Sequence, residues 1–248
     1  MEHESLIMEF LRRHNQKCWR PTVALLDMDG TLYDSMGNHT AAWKRMTDEI
    51  GMNIDRNEFY LFEGMTGAAT INMLFNREFG RDATDDEKTG LYRRKTEYFK
   101  ELPPVSPMPG AQSLLAQMAD AGMKRVLVTG SGQASLIDRL ERDFPGAFVP
   151  ELMVTSRNTT HGKPHPEPYI KGMQLARVRP SNCIAVENAP LGVRSADAAG
   201  AFTVGLTTGP IPREELVKAG AAVVYGSMQE FADDFASLTF DLLNTELF

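Results

Sequence analysis

Cysteine is nearly absent from this chain: Cys18 and Cys183 are the only two among 248 residues. Two thiols build neither a disulfide framework nor a zinc site, and a reducing, cytoplasmic setting is expected. Long apolar runs are missing too. No stretch approaches the roughly 20 apolar residues of a membrane-spanning helix, so no membrane partner is expected. The opening residues, MEHESLIMEFLRRHNQ, interleave charges with apolar positions, which is wrong for a signal peptide. An excess of positive charge is lacking as well. Lys and Arg number 26 against 33 Asp and Glu, for a net charge of −7. Nucleic acid is thereby disfavoured as a partner, while a local site can oppose the overall field and take an anionic substrate. Internal repeats and low-complexity tracts are absent. Apolar residues at 42% and charged residues at 24% are ordinary globular values and exclude a disordered chain.

What is present is an alternation. Short apolar runs at Val23–Leu26, 125–128, 152–154, 184–186, Phe202–Leu206 and 222–225 predict strands. Helical periodicity fills 109–121, 133–144, 167–176 and 190–199 between them, with Gly122, Gly146 and Gly200 as stops. Near-continuous apolar strands alternating with helices predict an α/β fold, a doubly wound, parallel, Rossmann-like sheet. Between Asp34 and Pro103 the strand signal vanishes. Helical periodicity at 38–50, 56–63, 67–79 and 84–101 predicts an all-helical module inserted after the first strand, as a cap. The stiff segment Pro103-Pro104-Val105-Ser106-Pro107-Met108-Pro109 returns the chain to the core. The expected division is an N-terminal helical extension over 1–19, a core over 20–35 and 104–248, and a helical cap over 36–103. The sequence does not encode the oligomeric state; a monomer is expected.

The first strand runs into Asp27-Met28-Asp29-Gly30-Thr31. Two carboxylates at i and i+2, just past a buried strand, project at the carboxyl edge of the sheet, where open α/β folds bind ligands. They repel unless a cation sits between them or one takes a proton. Gly30 lets the chain turn sharply beside them. Further along stand Val128-Thr129-Gly130-Ser131, then Gly162-Lys163-Pro164, then Val186-Glu187-Asn188 followed by Ala189-Pro190-Leu191-Gly192. Thr129 offers a hydroxyl, and Gly130 and Ser131 offer backbone N–H groups where a helix is expected to begin, an anion cradle. Lys163 adds a positive charge on a loop stiffened by Pro164, Pro166 and Pro168.

In this order, the four motifs resemble those of the haloacid dehalogenase (HAD) superfamily over about residues 20–226. The inserted helical block is similar to the C1 cap of its β-phosphoglucomutase-like subfamily. The resemblance implies a HAD core and a Mg²⁺-dependent phosphohydrolase. Asp27 would be the nucleophile that forms an aspartyl-phosphate, and Asp29 the general acid and base. Thr129, Gly130, Ser131 and Lys163 would bind the phosphate. Mg²⁺ would be held by Asp27, the Asp29 backbone carbonyl and Asn188, with Glu187 nearby. Glu187-Asn188 departs from the pair of acids common in the fourth motif, and so removes one negative charge.

The cap refines the substrate. Phe62-Glu63-Gly64-Met65-Thr66-Gly67-Ala68-Ala69-Thr70 matches the subfamily's substrate-specificity loop. Gly67 stands where a mutase has an arginine, and Glu63 where it has a lysine. Gly132 and Gln133 replace a lysine–asparagine pair. A distal-phosphate clamp without its cations argues against a sugar-phosphate mutase. Over Phe62–Asn72, 129–133 and 186–193 the chain looks most like the subfamily's inorganic-pyrophosphatase branch. There the loop glutamate, here Glu63, is implied to reach the Mg²⁺ when the cap closes. Glu63, Thr66, Gly67 and His39 are therefore the cap residues expected to set specificity. His39 and Trp43, at i and i+4, read as a packed pair beside the hinge, with a ligand role the alternative; Arg93-Arg94-Lys95 reads as a solvated helix face, with one cation lent to the cleft the alternative. The leading expectation is a hydrolase of a small phosphorylated substrate, with pyrophosphate the best single choice. A β-phosphoglucomutase or sugar-phosphate phosphatase stands second, and a non-catalytic phospho-ligand-binding protein third.

Overall fold

The computed structural model describes residues 2–131 and 138–243. Its centre is one sheet built from β1 (Val23–Leu26), β2 (Lys124–Val128), β3 (Met153–Val154), β4 (Cys183–Glu187), β5 (Phe202–Leu206) and β6 (Val223–Tyr225). The strand order is β3-β2-β1-β4-β5-β6, and every pairing is parallel. All four residues of β1 are buried. Successive side chains point to opposite faces. Val23 and Leu25 join Val126, Val128, Tyr169 and Met173 in one cluster, while Ala24 and Leu26 join Leu127, Val186 and Phe202 in the other. A strand covered on both faces has no use for a polar alternation, which is why these runs are continuously apolar. Leu26 lies opposite both Leu127 and Val186, so the ends of β1, β2 and β4 are level.

The helices are α1 (Glu2–Arg13), α2 (Met36–Glu49), α3 (Gly67–Phe79), α4 (Asp85–Glu101), α5 (Ala111–Asp120), α6 (Leu140–Asp143), α7 (Glu167–Ala176), α8 (Pro190–Ala198), α9 (Arg213–Ala219) and α10 (Met228–Leu243). The sequence reading assigns neither α9 nor α10. Of the helix expected over 133–144, residues 132–137 lie outside the described part, and α6 is what is seen of the rest. Among the described residues, no helix is long and apolar enough to cross a membrane.

The cap consists of α2, α3 and α4 with a core of its own around Met52, Ile54, Phe59, Ile71, Leu74 and Phe75. Its second helix, expected over 56–63, is a single 3₁₀ turn, Arg56–Tyr60. Asp55 and Glu58 form a capping box that starts the turn. It cannot run on, because Gly64 takes a left-handed φ of +89° and redirects the chain toward the sheet edge.

α1 belongs to the packing of the core. Ile7, Phe10 and Leu11 are buried beside α10 and β5. Trp19 stacks on Phe202 with ring centroids 3.8 Å apart, and its Nε1 donates to the Cys183 carbonyl at 2.7 Å. We expect Trp19→Ala to lower the unfolding free energy by about 3–5 kcal/mol, the usual cost of emptying a buried aromatic site. A urea titration measures it; a loss under about 1 kcal/mol would show that this segment is dispensable to the core.

Candidate active site

Because the ends of β1, β2 and β4 are level, three loops meet at one edge. After β1, the Asp27 N–H still donates to the Val186 carbonyl at 3.1 Å, which holds its side chain at the strand mouth. The chain then folds back: Leu32 and Tyr33 both donate to the Met28 carbonyl. Gly30 makes this possible with a φ of +76°, and a Cβ there would lie 2.0 Å from Asn188 Nδ2. After β2, the Ser131 N–H donates to Thr129 Oγ1 at 2.9 Å, so the Thr129 hydroxyl organises the start of its own loop.

Lys163 enters from the loop before α7 and is 2% exposed. Its ammonium donates to Asp27 Oδ1 at 2.5 Å, Glu187 Oε1 at 2.5 Å and the Val128 carbonyl at 3.0 Å, which uses all three of its hydrogens. The buried Tyr169 hydroxyl donates to the same Glu187 oxygen at 2.6 Å, and the Asn188 N–H donates to the other at 3.2 Å. Both Glu187 oxygens are thus engaged. Room for that carboxylate comes from Gly192, where a Cβ would lie 2.1 Å from it. Burial pushes the Asp27 carboxyl up to about 8 against the pull of Lys163, with Glu187 and Asp29 adding to the rise. For Lys163 burial acts the other way, but the two carboxylates outweigh it and keep the ammonium charged.

Asp29 has the opposite surroundings. Its Oδ1 accepts from Ser35 Oγ at 2.6 Å and pairs with His39 Nε2 at 2.9 Å. His39 Nδ1 in turn faces the Lys95 ammonium at 2.6 Å. Lysine can only donate, which makes Nδ1 the acceptor and Nε2 the N–H directed at Asp29. Burial alone would raise the Asp29 carboxyl; His39, Ser35 and Lys95 together hold it at about 2. Burial, reinforced by Lys95, lowers the His39 ring. Lys95 is 2% exposed, and its ammonium lies over the rings of Trp43, Tyr92 and Phe99. The expectation of a solvated face over 93–95 is therefore wrong at Lys95. The signal was its spacing, three residues after Tyr92 and four before Phe99, inside the apolar stripe of α4. Ser35 and Tyr169 carried no such signal.

The cap loop closes over this edge. Asn188 Nδ2 donates to both Glu63 oxygens at 3.1 and 3.2 Å. Burial raises the Glu63 carboxyl well above its ordinary range, and Asp27, Asp29 and Glu187 add to the effect. Backbone meets backbone along the seam. A Cβ on Gly130 would lie 2.4 Å from the Gly64 carbonyl, one on Gly64 would lie 2.9 Å from Lys163 Cδ, and one on Gly162 would lie 2.8 Å from Thr66 Cγ2. Thr66 Oγ1 also caps α3 through the Ala69 N–H at 3.2 Å. At Gly67 a Cβ would lie 2.1 Å from the Tyr92 ring, so no longer side chain fits there as the ring stands. Gly132 and Gln133 lie outside the described residues. The partly open cavity, about 60 Å³, is lined by residues including Asp27, Asp29, His39, Glu63, Lys95 and Thr129. Three carboxylates, Asp27, Asp29 and Glu63, line it, and Asn188 holds Glu63 from behind. The rise of Asp27 and Glu63 marks an excess of negative charge, and the carboxylates that would meet an ion offer oxygen ligands. Those two features fit a hard divalent cation such as Mg²⁺.

A parallel sheet with an aspartate at the mouth of its central strand, a buried lysine beside it and a helical lid defines a class of α/β hydrolases. Residues 21–200 match the model of the haloacid dehalogenase-like hydrolases, and the chain belongs to that family, in its β-phosphoglucomutase-like branch. Hexitol phosphatase A of Escherichia coli is 30% identical over 182 residues, covering 73% of this chain and 80% of its own. 2-Deoxyglucose-6-phosphate phosphatase 1 of Saccharomyces cerevisiae is 29% identical over 217 residues, 82% of this chain and 86% of its own. A solved structure from Bacteroides vulgatus with a provisional β-phosphoglucomutase designation superposes with a TM-score of 0.93 at 39% identity, covering 97% of this chain and 98% of that one.

Lys95 supplies a test of the buried chain behind Asp29. Its amine falls from an ordinary 10.5 to about 7 in the fold because burial disfavours the charge. The cost of burying that charge is full below about 7 and gone above about 10.5. The stability of the wild type relative to Lys95→Met should therefore rise as pH is taken from about 7 to about 10, read by denaturant titration. A difference independent of pH would mean that Lys95 is not buried as a titrating amine.

Proposed function

We propose that the chain is a divalent-metal-dependent phosphatase of small phosphorylated carbohydrates, with Asp27 as nucleophile. The observation that carries this reading is the Asp27 carboxylate at the mouth of β1, tied to Lys163 at 2.5 Å and roofed by the cap loop. Asp27 attacks the phosphorus, the P–O bond to the leaving group breaks, and the leaving oxygen takes a proton from Asp29. Water then attacks the aspartyl-phosphate, gives its proton back to Asp29 and releases phosphate. Asp29 is held ionised in the resting site, so it must gain a proton before it can act as acid; His39, with Lys95 behind it, is the route. Lys163 neutralises the phosphate and the Gly130 N–H donates to it, on a loop start that Thr129 Oγ1 organises through the Ser131 N–H. Asp27, Asp29 and Asn188 would hold the cation, with Glu63 beside them. When bound, the cation supplies charge neutralisation and polarises a phosphoryl oxygen. Glu187, with both oxygens engaged, serves chiefly as the partner of Lys163.

The carbohydrate-phosphate reading takes its support from the hexitol and deoxyglucose phosphate phosphatases that resemble the chain. Pyrophosphate gains no support from those relatives. Gly67, packed against the Tyr92 ring, speaks against a mutase, because that position offers a second phosphate no arginine. Pyrophosphate nevertheless remains a second reading on one specific observation. Glu63, held on Asn188, lines the cavity beside Asp27 and would crowd a bulky leaving group there.

A phosphate-release screen across hexose phosphates, hexitol phosphates and pyrophosphate separates the two. Asp27→Asn should abolish turnover of whichever substrate is best, by several orders of magnitude, each tenfold being about 1.4 kcal/mol of barrier. Activity within tenfold of wild type would remove Asp27 as nucleophile. Glu63→Ala tests the cap. If Glu63 excludes bulk, the ratio of kcat/KM for hexose phosphate over pyrophosphate rises in the variant. Equal losses on both substrates would assign Glu63 to cap closure alone.

A further inference from the structure

Outside the catalytic edge, the described residues bring three metal-ligating side chains together, two on one short loop and the third at the first residue of α7. His161, His165 and Glu167 each place one ligand atom within 4.8 Å of the other two. The imidazole rings stack with centroids 4.6 Å apart and planes inclined by 30°. His161 Nδ1 lies 2.9 Å from Glu167 Oε2, and the Glu167 N–H donates to His165 Nδ1 at 3.1 Å. The His161 side chain is 61% exposed, open to an ion from solvent.

Glu167 has a structural task that accounts for it alone. Its oxygens accept from the N–H groups of Thr160 and His161, both at 2.8 Å, and Oε1 meets Lys171 Nζ at 3.0 Å. That task needs no histidine, yet two are held face to face against it. The loop is also rigid. Pro164, Pro166 and Pro168 fix φ at alternate positions, and Ser195 Oγ donates to the His165 carbonyl at 2.6 Å. Donor atoms around a tetrahedral zinc stand roughly 3.3 Å apart for bonds of about 2.0–2.1 Å. The ligand atoms, already within 4.8 Å of one another, must close by at most about 1.5 Å to reach that spacing, and the ion replaces two exposed hydrogen bonds. Lys171 stays on the far oxygen of Glu167.

We propose that His161, His165 and Glu167 bind a borderline divalent transition ion, Zn²⁺ above all, at a site separate from the oxygen-lined pocket. Two imidazoles and one carboxylate suit zinc, nickel or copper and are a poor set for Mg²⁺ or Ca²⁺. The proposal is independent of the phosphatase reading. The ion would sit on the segment that carries Lys163, with one ligand two residues before it and another two residues after.

The test is calorimetric titration of the full chain with Zn²⁺, in millimolar Mg²⁺ to occupy the oxygen pocket. The expected result is one equivalent bound by the wild type, and binding at least about tenfold weaker in the His161→Ala/His165→Ala variant. His161→Gln, at an exposed position that cannot unfold the chain, should weaken it as well, and Asp27→Asn should leave it unchanged. Zinc should also raise the melting temperature of the wild type and not of the double variant. Equal binding by wild type and His161→Gln, loss of binding in Asp27→Asn alone, or no binding by the wild type would each overturn the proposal.

Discussion

One buried ammonium holds the catalytic edge together. Lys163 joins the ends of three neighbouring strands, through Asp27 after β1, the Val128 carbonyl on β2 and Glu187 on β4. A lysine this deep is tolerable only because every hydrogen has an oxygen and two of those oxygens are charged. Removing either carboxylate would strand a buried charge at a cost of about 3–5 kcal/mol. Other features follow from that demand. Gly192 has no side chain because Glu187 needs the space, and Tyr169 is a tyrosine where any apolar ring would fill the volume. Gly64 of the cap lies against the lysine stem, so the lid also keeps water from the ion cluster.

The two aspartates of the first motif stand two residues apart and are driven in opposite directions. Burial among other carboxylates lifts Asp27, whereas Ser35, His39 and Lys95 hold Asp29 down. Such divergence between neighbouring acids is how one pocket runs two kinds of chemistry. The divergence depends on the cap as well as the core, because His39 and Lys95 come from α2 and α4.

Much of this was readable in the chain. The strands were legible because a strand buried on both faces must be apolar throughout, and the bounds found for β1 and β5 are those read from sequence. Motif order placed Asp27, Asp29, Thr129, Lys163, Glu187 and Asn188 at one edge. The reading failed where function depends on partners distant in sequence. Lys95 looked like one more surface charge beside Arg93 and Arg94 until Trp43, from another helix, closed over it. Tyr169 and Ser35 are ordinary residues whose importance lies wholly in what they face. α9 and α10 lie beyond the last motif, and the helical period of Phe231, Phe235 and Leu238 in α10 is marked by no motif of its own. Local likeness in the specificity loop pointed to pyrophosphate, whereas relatives alike over most of the chain are a hexitol phosphatase and a 2-deoxyglucose-6-phosphate phosphatase.

The glycine seam between lid and core bears on how this enzyme could acquire new substrates. Gly64, Gly130 and Gly162 meet a neighbour too closely for any side chain, so substitution there is closed as long as the lid must shut. Divergence after gene duplication is thereby channelled into the few loop positions that face the cavity, Phe62, Glu63 and Met65 among them. A lineage can then change what it accepts by altering two or three residues, with the phosphate machinery untouched.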